Sequence, residues 1–136
     1  MPRFEIINPD SLGKPRGWNN GLLARQGGRL LFIAGQIARD DSGQVPDADF
    51  VEQFDRALGN VIAVLHAAGG GPEDVGRFTI YVVDVAEYRA SLKPLGEVYR
   101  RRMGRHYPAM AVVEVRGLVD QHARLEIEAT AVLDRE

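Results

Sequence analysis

Two glutamates near the end of the chain are the side chains best placed by type and spacing to do acid–base chemistry. Glu126 and Glu128 alternate with apolar residues in 123–133, which predicts a β-strand that carries both carboxylates on one face. A carboxylate held at a cleft can take or give a proton. Buried carboxylates instead need partners, such as Arg77 or Arg116 across the sheet. The pattern leaves both interpretations open.

The rest of the sequence excludes two kinds of cysteine site and lacks the motifs of helical metal sites, serine hydrolases and nucleotide-binding loops. The sequence has no cysteine, which excludes disulfides and thiolate metal sites. Its histidines, His66, His106 and His122, lack the i, i+4 spacing of a helical metal site. No serine lies in a Gly-x-Ser-x-Gly motif, and no glycine-rich nucleotide loop follows a strand. We therefore expect no bound metal and no cofactor.

A basic cluster, Arg100 to Arg102 followed by Arg105, lies at the predicted end of a helix. Cations are favoured at a helix C-terminus, so a solvated helix end explains the cluster as well as an anion or RNA contact does. The formal net charge of the chain is −2, which disfavours nucleic acid as the main partner. No apolar run is long enough to span a membrane, and no secretory signal is apparent, so a cytoplasmic location is expected.

The elements that must position these residues follow from hydrophobic periodicity. A helix is predicted over 49–68, capped by Asp49 and ended by the glycines at 69–71, and a second helix over 86–103. Strands are predicted over 3–7, over 22–25 and 29–34 as a hairpin, and over 76–83, 109–116 and 123–133.

This order predicts one α+β domain over 1–136, with two helices on one face of a mixed sheet. The apolar run Leu30 to Ala34 is expected to form a central strand. Val82, Val112 and Val132 are expected on the other sheet face, where they would promote self-association.

Several motifs, in order along nearly the whole chain, resemble the RidA/YjgF (Rid) superfamily. They are Ala34-Gly35-Gln36-Ile37, the helix end at 63–69, Tyr107-Pro108-Ala109, Val113-Glu114-Val115 and Leu125-Glu126-Ile127-Glu128-Ala129. The resemblance implies a chorismate-mutase-like fold and a homotrimer with three small-molecule clefts between subunits. It also implies a relation to enamine and imine deaminases. In these, an arginine directly after Pro-Ala binds the substrate carboxylate, and the first glutamate of Glu-Ile-Glu-Ala orients water.

The chain departs from that pattern where the deaminases bind their substrate. Met110 follows Pro108-Ala109 in place of the arginine, and a thioether cannot pair with a carboxylate. The resemblance also places Val112 at a small polar or cysteine position, Trp18 at a loop tyrosine and Gly96 at an asparagine before Tyr99. The chain is thus similar to an arginine-less Rid subgroup with a more apolar cleft. Arg105 or Arg116 could then supply a replacement cation.

The resemblance and these departures together predict the site. Glu126 is the predicted catalytic residue, and the predicted ligand-binding residues are Trp18, Gly35, Gln36, Tyr99, Arg105, Met110 and Val112. Three functions stay open: a hydrolase or deaminase of enamine, imine or related compounds, a non-catalytic ligand-binding or regulatory protein, and, ranked last, a ribonuclease. A 2-aminoacrylate deaminase is not expected.

Overall fold

A four-stranded mixed sheet covered on one face by helices forms the body of the molecule in the computed structural model, which describes residues 2–134. The elements in chain order are β1 (Phe4–Ile7), β2 (Gly21–Ala24), β3 (Arg29–Gln36), α1 (Phe50–Ala67), β4 (Val75–Val82), α2 (Val85–Ala90), α3 (Leu92–Met103), β5 (Ala109–Glu114) and β6 (Leu125–Leu133). The sheet order is β3-β6-β4-β5, with β4 and β5 parallel and the other pairs antiparallel. The predicted α+β class and mixed sheet are confirmed.

Helix α1 begins and ends where the sequence predicts. The carboxylate of Asp49 accepts a hydrogen bond from the backbone N–H of Glu52 at 2.9 Å, which satisfies one of the free donors of the first turn. At the other end Gly69 adopts a φ of 85°, a left-handed conformation that glycine reaches without strain. The backbone N–H of Gly70 then donates to the Leu65 carbonyl at 2.8 Å.

The core lies between α1, α3 and one face of the sheet. Its largest fully buried side chains include Leu58 and Leu65 of α1, Phe78 of β4, and Leu125 and Ile127 of β6. Every second residue of β6 from Leu125 to Leu133 is buried in this core, while Glu126 and Glu128 point to the opposite face of the sheet. None of the helices within residues 2–134 combines the length and apolar character needed to cross a bilayer.

Two predictions about the strands are wrong. Strand β2 pairs with β1 in a separate two-stranded ribbon, not with β3 in a hairpin. Strand β3 pairs only with β6 among the described strands, so the run Leu30 to Ala34 lies at a sheet edge rather than at its centre. An apolar run is common to central strands and to edge strands that are covered by something else, so hydrophobicity alone could not decide between them.

The apolar residues of the open sheet face are also different from those predicted. Val82 is buried in the core. Val112 is the register partner of the core residue Ile80, so Val112 faces the helices and packs against the core. Of the three predicted valines only Val132 lies on the open face, opposite Leu30. The large apolar side chains most exposed on that face are Leu30, at 64%, and Phe32, at 75%, and Val113 of β5 is 42% exposed there.

The second predicted helix is divided into α2 and α3 at Ser91. Pro94 has no N–H to donate, and its ring would collide with the carbonyl four residues earlier, at Ala90. A continuous helix is therefore unfavourable at this point, and the chain starts a new helix instead. The break sets the direction of α3, which carries much of the site described below.

Gln53 on α1 holds the long loop before β6 in place. Its side chain is 2% exposed, its amide nitrogen donates to the His122 carbonyl at 3.1 Å, and its amide oxygen accepts from the Arg124 N–H at 2.9 Å. These bonds replace hydration of backbone groups that the packing removes from water. They fix where β6 begins, and so which of its residues face the core.

We predict that Gln53→Leu lowers the free energy of unfolding by about 1–3 kcal/mol, because it leaves buried backbone groups without a partner. Urea denaturation followed by circular dichroism measures the change. The matched control is Gln121→Leu, the same substitution at an exposed position. Equal stability of the two variants would show that the Gln53 bonds contribute nothing.

Candidate functional site

A cavity of about 630 Å³ lies between α3, the strands β4 and β5, and the loop that connects β1 to β2. Its walls are mainly apolar and aromatic. The lining residues are Arg16, Gly17, Trp18, Phe54, Ile80, Tyr88, Leu92, Leu95, Gly96, Tyr99, Arg100, Tyr107, Met110 and Val112. A volume of this size and an apolar lining with few polar groups are typical of a small-molecule site. We call it the α3–β5 cavity.

Four of the predicted ligand-binding residues line this cavity: Trp18, Tyr99, Met110 and Val112. Met110 and Val112 lie two residues apart on β5 and therefore share a face. Their partners across the parallel pairing with β4 are Phe78 and Ile80, both core residues, so this face looks toward the helices. The wall at position 110 is consequently an adaptable thioether rather than a cation.

Trp18 reaches the cavity because an asparagine network anchors its loop to the start of β5. The Asn19 amide nitrogen donates to the Tyr107 carbonyl at 2.6 Å, and the Asn19 N–H donates to the Pro108 carbonyl at 3.2 Å. On its other side, Asn19 accepts from the Asn8 amide at 2.8 Å. The loop is thereby tied to β5 and to the end of β1, and the indole stays at the cavity while 42% exposed.

Tyr99 presents its ring to the cavity, while its hydroxyl is engaged elsewhere. The hydroxyl donates to the His106 carbonyl at 2.6 Å, and the ring stacks on Tyr107 with centroids 5.2 Å apart. Burial, with a smaller contribution from Tyr107, raises the pKa of Tyr99 well above its usual range. The phenol therefore stays neutral and acts as a flat apolar wall, not as an acid–base group.

Glu126 and Gly35 lie together, but on the other face of the sheet. A side chain at Gly35 would put its Cβ 2.6 Å from Glu126 Cδ, so only glycine leaves room for this carboxylate. Gly35 lies where the β3–β6 register shifts between Ile33 and Gln36, a local irregularity of the kind often found beside active sites. The Gln36 amide donates back to the Ala34 carbonyl at 3.1 Å.

The two glutamates of β6 differ in their partners. Glu128 accepts a hydrogen bond from the Tyr81 hydroxyl at 2.9 Å, and this bond raises the pKa of Tyr81. Neither glutamate forms an ion pair within residues 2–134, so the predicted alternative of pairing with Arg77 or Arg116 is not what the structure has. Glu126 also accepts no hydrogen bond from any described residue, so its carboxylate is unpaired within residues 2–134.

The predicted site residues thus form two groups that do not meet within one chain. Met110 is on an edge strand and faces the helices, whereas Glu126 is two strands away and faces outward. Neighbouring strands are about 4.8 Å apart, and Glu126 lies three residues of about 3.3 Å along β6 from Ala129, which is level with Met110, so the two residues are separated by roughly 14 Å and by the sheet itself. Arg105 lines a second cavity of about 260 Å³ beside Phe4 and His106, which adjoins the α3–β5 cavity at Tyr107 but does not include Met110 or Glu126.

Arg16 and Arg100 line the α3–β5 cavity but are not among the residues predicted to bind a ligand. In the sequence, Arg100 to Arg102 form one cluster. In the helix, a rotation of about 100° per residue directs the three side chains to different sides of α3. Arg102 turns toward α1 and pairs with Asp55 at 2.7 Å, and Arg101 pairs with the same carboxylate at 3.5 Å. Arg100 lies four residues after Gly96, and positions i and i+4 share one face of a helix, so this spacing is the signal that could have identified Arg100.

No three histidine, aspartate or glutamate side chains in the described part of the chain come together as metal ligands would. The arrangement is therefore an apolar cavity with cations at its lining, and a separate carboxylate on the open face. Such groups can bind an organic molecule and, if brought together, position water against it.

Comparison with known proteins shows what this arrangement is similar to. The family model described as Endoribonuclease L-PSP matches residues 17–133. A RutC family protein of Pyrococcus horikoshii is 35% identical over 129 residues, which cover 93% of this chain and 96% of that protein. The human 2-iminobutanoate/2-iminopropanoate deaminase is 31% identical over 105 residues, covering 76% of this chain and 73% of the relative.

Solved structures give the same result. A Yersinia pestis protein of the Rid family, described as of unknown function, superposes with a TM-score of 0.85 at 31% identity, covering 96% of this chain and 99% of that one. Escherichia coli TdcF with bound serine superposes with a TM-score of 0.65 at 31% identity, covering 88% and 91%.

We predict that Asn19→Ala releases the Trp18 loop, because it removes the hydrogen bonds of the Asn19 side-chain amide to Tyr107 and Asn8. The expected results are a loss of about 1 kcal/mol in unfolding free energy and a red-shifted tryptophan emission. Trp18 is the only tryptophan in the sequence, so the emission reports on this loop alone. Ser11→Ala, in the same connection and without a side-chain bond in the described structure, is the control. Unchanged emission from Asn19→Ala would contradict the anchoring role.

Proposed function

This chain belongs to the Endoribonuclease L-PSP family, the RidA/YjgF or Rid superfamily, and from that premise we propose that it binds a small organic molecule in the α3–β5 cavity and hydrolyses it with Glu126 from a second copy of the chain. The proposed substrate is an enamine, imine or related compound larger than 2-aminoacrylate. The observation that carries the proposal is the division of the site between the two sheet faces, with a cavity on one and an unpaired carboxylate on the other.

Assembly of three copies is the proposed means of joining the two halves. Leu30 and Phe32 leave a large apolar area on the open face of edge strand β3, and such areas on a single chain favour association. Strand β5, which carries Met110, is the opposite edge of the same sheet. An interface that joins one edge region to the other is heterologous, and it forms a closed ring when the rotation between copies is 120°. Each cavity would then face the Gly35–Glu126 pair of a neighbour.

The proposed role of Glu126 follows from its surroundings. Its carboxylate has neither an ion pair nor a hydrogen bond within residues 2–134, and Gly35 provides backbone close beside it. A carboxylate in this position can accept a proton from water and hold that water for attack on an imine carbon. The oxygen of water adds to the carbon of the C=N bond, and the proton taken by Glu126 passes to the nitrogen. The resulting carbinolamine then expels the amine, or ammonia where the nitrogen carries no substituent, to leave a carbonyl.

Met110 is the basis for excluding the smallest imino acids as good substrates. Relatives named as deaminases of 2-iminobutanoate and 2-iminopropanoate are similar to this chain, but Met110 stands at the position where the resemblance places their carboxylate-binding arginine. A methionine gives an apolar contact and no charge. A substrate with a larger apolar body can bury that body against Met110, and this burial offsets the missing ion pair to the carboxylate. A small imino acid has too little apolar surface for such an offset.

We predict that light scattering coupled to gel filtration gives a mass of about three times 15.0 kDa. The apolar surface at Leu30 and Phe32 provides the reason. Phe32→Glu should dissociate the assembly, because it places a charge in the apolar contact, whereas Gln121→Glu at an exposed position should not. A wild-type protein that stays monomeric at micromolar concentration would contradict both the trimer and the shared site.

We predict weak activity on 2-iminopropanoate generated in situ by a pyridoxal-phosphate enzyme. Loss of a charge-assisted pair costs about 1.5–3 kcal/mol, equivalent to roughly tenfold to a hundredfold in kcat/KM relative to an arginine-bearing relative. Met110→Arg should recover part of that difference, and Glu126→Gln in the Met110→Arg background should abolish it. Gln is nearly isosteric with Glu, so the variant tests the charge and proton rather than the packing.

Other results of the imine assay decide between the open functions. Rates that match an arginine-bearing relative would show that Met110 is no handicap. Turnover of imines that is unaffected by Glu126→Gln would remove this residue from the mechanism. Ligand binding without any turnover, in wild type and variants alike, would favour the non-catalytic alternative.

A further inference from the structure

Two cations line the α3–β5 cavity although position 110 has lost its arginine. Arg16 reaches the cavity from the loop that also carries Trp18, and Arg100 reaches it from α3. Arg100 comes from the helix layer, and Met110 belongs to β5 on the sheet side. An anionic group held by Arg100 would therefore lie at a different end of the cavity from one held at position 110.

Neither arginine is used by the fold. The ion pairs within residues 2–134 involve Arg3, Arg101, Arg102 and Arg124, and the side chains of Arg16 and Arg100 form neither an ion pair nor a hydrogen bond there. Arg101 and Arg102, the other members of the cluster, both pair with Asp55. Arg100 is unpaired in the described part of the chain because its side chain points in another direction. An unpaired guanidinium keeps its donors available for a ligand, and its planar fork suits a carboxylate or phosphate.

A glycine of α3 lies beside Arg100. Gly96 is one helical turn before Arg100, and a Cβ at Gly96 would be 3.4 Å from Arg100 Nη1, an ordinary contact that alanine would satisfy. Glycine in a helix interior is unfavourable relative to alanine. A side chain longer than alanine would extend along the face that carries the Arg100 guanidinium and would compete with it for space at the cavity.

We propose that Arg100, assisted by Arg16, binds the acidic group of a ligand whose apolar body, of about the size of an aromatic ring, packs between Trp18, Tyr99 and Met110. This inference rests on the proposed function, because it takes the α3–β5 cavity to be the ligand site. It adds the substrate class, an organic acid with a bulky apolar body, and names the specificity-determining residue. The acidic group can be a carboxylate or a phosphate, since a guanidinium binds both.

The test uses the assembled full-length protein and the emission of its single tryptophan, Trp18, which lies in the cavity. The probes are 3-phenylpropanoate and phenyl phosphate, with 3-phenylpropanamide as the uncharged analogue of the carboxylate. Wild type should bind at least one acid about tenfold more tightly than the amide, and added salt should weaken the acid alone. The tighter of the two acids identifies the acidic group.

The variants separate charge recognition from the cavity itself. Arg100→Gln should weaken the acid about tenfold and change amide binding less than twofold, Arg16→Gln should have a smaller effect of the same kind, and Arg100→Lys should restore part of the loss. Arg89→Gln removes the same charge from an exposed residue of α2 outside the cavity. This control should change neither the affinity for the acid nor the affinity for the amide. Gly96→Gln should weaken the acid like Arg100→Gln while thermal stability stays equal or rises.

The outcomes distinguish this inference from the proposed function. Equal binding of acid and amide by wild type, or acid binding unaffected by Arg100→Gln, would overturn the role of Arg100 while the cavity remained a ligand site. Failure of all three probes to bind at millimolar concentration would overturn the inference and the cavity as a ligand site together. Acid binding that is lost equally in Arg100→Gln and Arg89→Gln would reduce the effect to net charge and also overturn the inference.

Discussion

Alternation of side chains along β6 is the constraint on which the rest of the molecule depends. Leu125, Ile127 and Ala129 pack against the helices, and Glu126 and Glu128 between them are turned to the other face. A shift of one residue would bury two carboxylates and expose the apolar set, so the register is strongly specified. Gln53 adds to this specification by holding the loop from which β6 starts. The same alternation, carried through β4 to β5, places Met110 and Val112 beside the helices.

A sheet with two different faces explains why the predicted site residues are divided within one chain. The helix-covered face supplies a cavity with an apolar lining, and the open face supplies a carboxylate that could not be buried among the helices unpaired. Edge strands remain available at both ends of the sheet, β3 with outward apolar residues and β5 beside the cavity. In a site shared between copies, the helix-covered face of one copy would supply the apolar cavity and the open face of another would supply the carboxylate. The proposed sharing would also couple ligand binding to assembly, because each copy would supply one half of the site.

The sequence was sufficient for the elements and the α+β class because helix α1 and strands β4 and β6 have strong periodicity and clear ends. It was not sufficient for strand order, since Leu30 to Ala34 has the composition of a central strand and lies at an edge. The side to which a strand residue points depends on pairing register, and this is why Val82 and Val112 were expected on the wrong face. Family resemblance brought Trp18, Tyr99, Met110 and Val112 into consideration, and the structure places all four at one cavity. Arg105, also expected there, lies on another cavity because the turn at Gly104 directs the chain away from α3 before β5 begins.

Arg100 shows most clearly what a linear pattern leaves out. Three consecutive arginines suggest one common role at a helix end, yet Arg101 and Arg102 join α3 to α1 through Asp55, and Arg100 faces the cavity. On the β5 side of this cavity the chain has Met110, where the family resemblance places an arginine, and on the α3 side it has an arginine unpaired within residues 2–134 beside Gly96. Moving the charge from strand to helix changes the position and orientation in which an acidic ligand can lie. The same scaffold would then select a longer ligand, with its apolar body against Met110 and its acidic end at Arg100.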